Sequence, residues 1–290
     1  MSESTDGKAG SSVDDRTGSA EIRLIAVDLD GTLLRSDSSL APEGGRALLA
    51  AVRQGSRVVF VTTRNLSSVR RFADQIGIAE PVVCTNGAHI LGSPVGPTWV
   101  RRAIPADLAA AVVAEADVRG WALITTVGET TMYHQRDGQP LGWTGPDRLV
   151  VARNSEALAY GDPIRILNYQ TEAMPEIVDL LQTHFEGRYH LETYLYPDET
   201  VKSIGVYAAR CDKGTGLAEV MARLGIPPEA VMAIGDNPND LPVFEHAALR
   251  VAMGNGTQAG RQAATVVAPT NDDEGVAWAV QRFVLKRGNR

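Results

Sequence analysis

Two carboxylates close an apolar run near the head of the chain, Ile22-Arg23-Leu24-Ile25-Ala26-Val27-Asp28-Leu29-Asp30-Gly31-Thr32. Such a run reads as a parallel strand covered on both faces, where alternation of polar and apolar residues is lost. If strand geometry continues to its end, Asp28 and Asp30 project the same way, because strand side chains repeat every second residue. Acids placed so close repel one another, and burial raises their pKa values. Mg²⁺ relieves that repulsion, since it takes oxygen ligands and accepts carboxylates. Gly31 lets the backbone leave the strand with dihedrals that other residues resist. Taken alone, the pattern also fits an ordinary strand-to-turn transition, so the rest of the chain must decide.

Three further places offer matching chemistry. The apolar run Arg57-Val58-Val59-Phe60-Val61 ends in Thr62-Thr63-Arg64, Lys213 opens a helix, and Val231-Met232-Ala233-Ile234-Gly235 ends in Asp236, with Asn237-Pro238-Asn239-Asp240 behind it. These types suit phosphoryl transfer, which needs a nucleophile, positive charge on the phosphate oxygens and donors that hold the moving group. Asp28 can attack phosphorus, since aspartyl-phosphates are an established covalent strategy. Asp30 can protonate the leaving alkoxide and later deprotonate the attacking water. Asp236 offers Mg²⁺ a further oxygen, and Asp240 a supporting carboxylate. Lys213 screens Asp28 from the incoming phosphate. Thr62 offers a hydroxyl and a backbone N–H to a phosphate oxygen.

The elements that must position these groups follow from the hydrophobic pattern. From residue 21 to 87 the chain alternates apolar strands with helices that start at Pro42 and after Asn65, a rhythm that implies right-handed crossovers and a parallel sheet. Polar groups gather at the strand C-termini, where ligands bind in open α/β sheets. From 88 to 204 the rhythm breaks into clustered strands with two helices, beginning with a hairpin of His89-Ile90-Leu91 and Thr98-Trp99-Val100-Arg101, which reads as an inserted α+β domain. It resumes over 205–290. Residues 1–20 hold almost nothing apolar and are expected to be a disordered tail, and 137–147, rich in Gly and Pro, is expected to be a loop.

At 290 residues the chain has room for two cores, and 44% hydrophobic with 22% charged residues describes a globular protein. A formal charge of -7 argues against a nucleic-acid binder with a generally basic surface. No apolar run is long enough to cross a bilayer. Two cysteines, Cys84 and Cys211, make no disulfide framework, and with no signal peptide the expected compartment is the cytoplasm. The five histidines show no metal spacing, and Gly254-Asn255-Gly256 reads as a turn.

Asp28-Leu29-Asp30-Gly31-Thr32, Val61-Thr62-Thr63-Arg64, Asp212-Lys213-Gly214 and Gly235-Asp236-Asn237-Pro238-Asn239-Asp240 resemble the four motifs of the haloacid dehalogenase superfamily. Their order, with a large α+β insert between the second and third, resembles its Cof-type class IIB phosphatases. The resemblance implies a Rossmann-like three-layer α/β/α core over 21–87 and 205–290, with an α+β cap over 88–204 that selects the substrate. It implies Asp28 as nucleophile, Asp30 as acid and base, and Mg²⁺ held by Asp28, Asp30 and Asp236 with Asp240 beside them; Asp30 would ligate through its carbonyl. Gly31, Thr63, Arg64, Asn86 and Asn239 stand where substrate contacts are expected, although Arg64 could equally be a surface ion-pair partner. Thr63 departs from the glycine common before the motif's arginine. The expected activity is Mg²⁺-dependent hydrolysis of a small phosphorylated metabolite, a sugar phosphate or cofactor-precursor phosphate. A phosphomutase of the same fold and a non-catalytic sugar-phosphate-binding protein are the alternatives.

Overall fold

The computed structural model describes residues 21–134, 147–195 and 200–285. The expected tail over 1–20 and most of the loop expected over 137–147 lie outside the described residues.

The first strand, β1 (Leu24–Val27), is buried at every position. Ile25 and Val27 enter one apolar cluster while Leu24 and Ala26 enter another, so both faces are covered and the strand has no use for a polar residue. Next come α1 (Pro42–Arg53), β2 (Arg57–Val61), α2 (Leu66–Ile76), β3 (Val82–Cys84), β4 (His89–Leu91) and β5 (Thr98–Arg101). Proline sits in the first turn of α1, where its missing N–H costs nothing. Asn65 caps α2 by accepting from the Ser68 N–H, and the left-handed Gly77 ends it.

The middle of the chain runs α3 (Ala106–Arg119), β6 (Leu123–Val127), β7 (Thr130–His134), β8 (Arg148–Val151), β9 (Arg165–Asn168), α4 (Met174–Phe185), β10 (Tyr189–Leu195) and β11 (Val201–Ala208). It closes with α5 (Lys213–Leu224), β12 (Val231–Gly235), α6 (Leu241–Phe244), β13 (Leu249–Ala252), α7 (Gln258–Ala263), β14 (Val266–Val267) and α8 (Gly275–Phe283).

Two sheets result. The first has the order β14-β13-β12-β1-β2-β3-β4-β5 and is parallel from β14 to β3. Helices α1, α2 and α8 pack on one face and α5 and α6 on the other, giving three layers. Strand order runs outward in opposite directions from β1 and β12, so a topological switch point lies between their C-terminal ends. The second sheet has the order β10-β11-β9-β6-β7-β8. Its one face is packed by α3 and α4 around Ile166, Ile204 and Val206. Ile124, Tyr133 and Leu167 lie on the other face.

Strand pairing moves both expected domain boundaries. The β4–β5 hairpin, expected in the insert, extends the first sheet: β4 folds back antiparallel on β3. The cause is local. Thr85, Asn86 and Gly87 all have positive φ, which reverses the chain within one turn. At the far end β11 stays in the second sheet to Ala208, beyond the expected return at 205.

Helix α5 deserves its own test because it carries Lys213. Asp212 caps it, accepting from the Thr215 N–H at 2.8 Å while the Thr215 hydroxyl accepts from the Asp212 N–H at 3.2 Å. Asp212→Ala should lower the unfolding free energy by about 1 kcal/mol, seen as a lower urea midpoint at unchanged slope.

Candidate active site

The strand β1 stops at Val27, and the chain passes through Asp28 into a wide turn over Leu29–Leu33 in which Gly31 has φ +73°. Asp28 stays buried, at 5% exposure. Because strand geometry does not continue, Asp30 does not follow Asp28 inward. Its side chain is 51% exposed and grips Arg64 bidentately, with Nε–Oδ2 at 2.7 Å and Nη2–Oδ1 at 2.5 Å. The expectation that both carboxylates project together is therefore corrected.

Asp28 meets Asp236 and Asp240 instead, one oxygen of each lying within 4.8 Å of the others. Lys213, 1% exposed, stands among them. Its Nζ donates to Asp240 Oδ1 at 2.7 Å and to Asn239 Oδ1 at 3.2 Å, and lies 2.9 Å from Asp28 Oδ1. Asp240 Oδ2 accepts the N–H groups of Asp236 and Asn237, both at 3.0 Å. Asp240 is thereby occupied on both oxygens and acts as a brace. Thr32 donates to Asp236 Oδ1 at 2.9 Å. The second oxygens of Asp28 and Asp236 accept from no side chain among the described residues.

Close backbone approach makes this packing possible. A Cβ on Gly31 would lie 2.3 Å from Asp236 Oδ2, and one on Gly235 would lie 2.5 Å from Asp240 Cγ. Asn255, in the turn Gly254-Asn255-Gly256, donates to the Gly31 carbonyl at 2.8 Å and pins the wide turn.

The electrostatics follow from burial. Desolvation pushes Asp28 well above the usual carboxylate range; Lys213 opposes that shift, while Asp240, Asp236 and Asp30 add to it. Desolvation and the nearby Asp240 push Asp236 up to about 7. Burial disfavours the Lys213 ammonium, but Asp240 and Asp28 outweigh that and hold its pKa above the ordinary lysine value. Two crowded, buried carboxylates with open oxygens form the kind of hard-oxygen set that a divalent cation fits.

The other expected site residues divide. Thr63, Arg64 and Asn239 line a cleft of about 440 Å³ with Asp28, Asp30 and Lys213. Thr62 is wholly buried and its N–H donates to Val83 O at 2.9 Å, so only the hydroxyl proton is left for a ligand. Asn86 is also wholly buried and absent from the cleft wall; its Nδ2 donates to Glu192 across to the second sheet at 3.1 Å. In this structure Asn86 ties the two sheets together through Nδ2, while its Oδ1 is buried without a partner among the described residues.

Sequence reasoning missed the roof. Arg148, Arg165, Lys202 and Tyr194 line the same cleft from the second sheet. The alternation Arg165-Ile166-Leu167, one apolar residue towards the helices and its neighbours away from them, is the signal that could have found Arg165.

A family model described as haloacid dehalogenase-like hydrolase matches residues 25–280. The chain belongs to this family. A relative, the 5-amino-6-(5-phospho-D-ribitylamino)uracil phosphatase YcsE of Bacillus subtilis, is 28% identical over 91% of this chain and 97% of its own length. Among solved structures, a protein of Thermotoga maritima superposes with a TM-score of 0.79 at 23% identity, covering 92% of this chain and 99% of the other. A sugar phosphatase of haloacid dehalogenase subclass IIB superposes at 0.75 with 22% identity, over 90% and 98% respectively. The chain is thus a haloacid dehalogenase-family hydrolase with the core and cap of that fold. No helix among the described residues is long and apolar enough to cross a membrane.

The raised pKa of Asp236 has a pH signature. An unfolded aspartate loses its proton near 3.8 while the folded one keeps it to about 7. Between those values the folded state binds more protons, so the stability contributed there is lost as pH rises. In chelator, the melting temperature should fall from pH 4 to 7 more steeply for the native chain than for Asp236→Asn. Added Mg²⁺, competing with the proton, should raise it more at pH 8 than at pH 5.5. Calorimetric scans check both.

Proposed function

We propose that the protein is a Mg²⁺-dependent phosphomonoesterase that acts on a small phosphorylated metabolite through an aspartyl-phosphate on Asp28. The observation that carries this reading is the buried Lys213 ammonium against one oxygen of Asp28, with the other oxygen left without a side-chain donor at the floor of the cleft. Lys213 neutralises part of the charge that an incoming phosphate would meet. Asp28 Oδ2 forms the new bond to phosphorus as the ester oxygen departs. Asp30 gives that oxygen a proton, then takes one from the water that releases inorganic phosphate and restores Asp28. Arg64 holds Asp30 until a phosphate oxygen competes for the guanidinium. Mg²⁺ would be held by Asp28 and Asp236, with Asp240 bracing Lys213 behind them, and would supply positive charge to the phosphate oxygens. The Thr62 hydroxyl, its oxygen accepting from the Arg64 N–H at 3.1 Å, can donate outward.

A phosphomutase is the second reading, favoured by Arg148, Arg165 and Lys202 in the roof, since a mutase must seat a second phosphate. Release of inorganic phosphate from a single substrate separates hydrolysis from transfer. No turnover of any ester would leave a sugar-phosphate-binding protein.

Asp28→Asn should remove turnover of every ester. Asp30→Asn should slow phosphorylation about 10² to 10⁴-fold with alkyl phosphates and only mildly with p-nitrophenyl phosphate, whose leaving group needs no proton. With the latter it should show a burst of nitrophenol equal to the enzyme present and phosphate trapped on Asp28. Rapid mixing with peptide mapping reads both. Equal losses with both esters, no burst and no label would mean the roles are wrong.

A further inference from the structure

The roof of the cleft is cationic. Among the described residues of the second sheet that line it, Arg148, Arg165 and Lys202 are charged and no carboxylate is present, in a chain whose formal charge is -7. Strand register builds this feature from residues far apart in sequence. Arg165 on β9 pairs with Thr126 on β6, Thr126 with Thr131 on β7, and Thr131 with Arg148 on β8. Residues directly opposite in neighbouring strands share a face, so the four stand in one row. That face is the one away from Ile166 and the helices.

Arg165 is the unusual member. It is 8% exposed and donates to Thr63 O at 2.7 Å and to Thr126 Oγ1 at 3.1 Å. Its Nε is buried with no partner, and no carboxylate pairs with it among the described residues. The Thr126 hydroxyl, 3.4 Å from that of Thr131, is neutral. A buried guanidinium supported only by neutral oxygens is costly to hold, and an anion is the partner that would offset the cost.

We propose that the substrate's leaving group is itself an anion: a phosphorylated metabolite whose far end carries a second phosphate or a carboxylate, received by Arg165 in the row that it shares with Arg148. This rests on the phosphatase reading of the floor, where Asp28 takes the phosphoryl group. An ester with a neutral far end leaves the Arg165 guanidinium with neutral partners only and binds less well at the transition state. A purely structural Arg165, tying the roof to Thr63, would instead affect all esters alike.

The test compares matched esters on the full chain with Mg²⁺: 6-phosphogluconate against glucose 6-phosphate, and fructose 1,6-bisphosphate against fructose 6-phosphate. In at least one pair kcat/KM should favour the anionic end by about tenfold or more, as expected for a charge-assisted hydrogen bond. The two pairs tell carboxylate from phosphate. Arg148→Met and Arg165→Met should each bring the ratio towards one. If Arg165→Met fails to fold, as its melting curve would show, Arg148→Met carries the comparison. Equal kcat/KM within both pairs, or a preference that survives these variants, overturns the proposal. Failure of the phosphatase reading looks different, with no phosphate released from any ester. Calorimetric titration of Asp28→Asn with the same four ligands then reads the preference without turnover, and equal affinities within both pairs overturn it there.

Discussion

A single buried ammonium sets the terms for the floor of this site. Lys213 lies at the switch point between β1 and β12 with almost no exposure, and a lone charge there would be untenable. Asp28 and Asp240 neutralise it, at 2.9 and 2.7 Å. Removing one partner of such a buried pair typically costs about 3–5 kcal/mol, so the ammonium and its carboxylates stand or fall together. The arrangement also divides labour. Asp240 spends one oxygen on Lys213 and the other on two backbone N–H groups, and so fixes the loop that carries Asp236. Asp28 and Asp236 each keep an oxygen open. Gly31 and Gly235 follow from the same crowding, because a side chain at either would occupy the space of a carboxylate.

Polar contacts tie the roof to this floor at the end of β2. Arg165 donates to Thr63 O, and Asp147 accepts from Asn65 at 3.1 Å and from Ser67 at 2.6 Å. Asn65 and Thr63 flank Arg64, which holds Asp30. The strand end that presents the floor's arginine is therefore also the strip on which the second sheet rests. Thr63 stands there in place of the glycine expected from the resemblance. Its carbonyl is the acceptor for Arg165, so this departure lies where floor and roof touch and bears on the shape of the cleft rather than on the carboxylates.

How much was legible depended on whether a residue's fate was decided locally. The run Leu24–Val27 had to be a doubly buried strand, Asn65 had to cap, Lys213 had to open a helix, and Asp236 had to follow the end of a strand, since short-range pattern fixes all of these. The condition on which Asp28 and Asp30 would project together, a strand that continues past Val27, is not met, because the turn that ends it is held by Asn255 from far along the chain. The β4–β5 hairpin was misassigned because nothing in a short apolar hairpin says which sheet it will join. That was settled by Thr85 and Asn86 with positive φ, a conformation common for asparagine but one that a β-branched threonine does not advertise. The row Arg165–Thr126–Thr131–Arg148 was invisible for a further reason: it exists only in the register between strands.

Net charge and local charge point in opposite directions here, and the local value governs recognition. Among the described residues that line the cleft are two carboxylates and five cations, whereas the whole chain carries -7. The two acids, Asp28 and Asp30, each face a cation of the floor, Lys213 and Arg64, and the buried Arg165 of the roof has only neutral oxygens beside it among the described residues. A cleft of one sign with low-dielectric walls focuses its field and draws in ligands of the opposite sign. The overall charge therefore argues only about the outer surface. What limits the ligand is the cleft's volume of about 440 Å³, which is within the usual range for a small-molecule site. Size selects a metabolite, and the divided charge gives it a direction, with one anionic end towards Lys213 and the other towards Arg165.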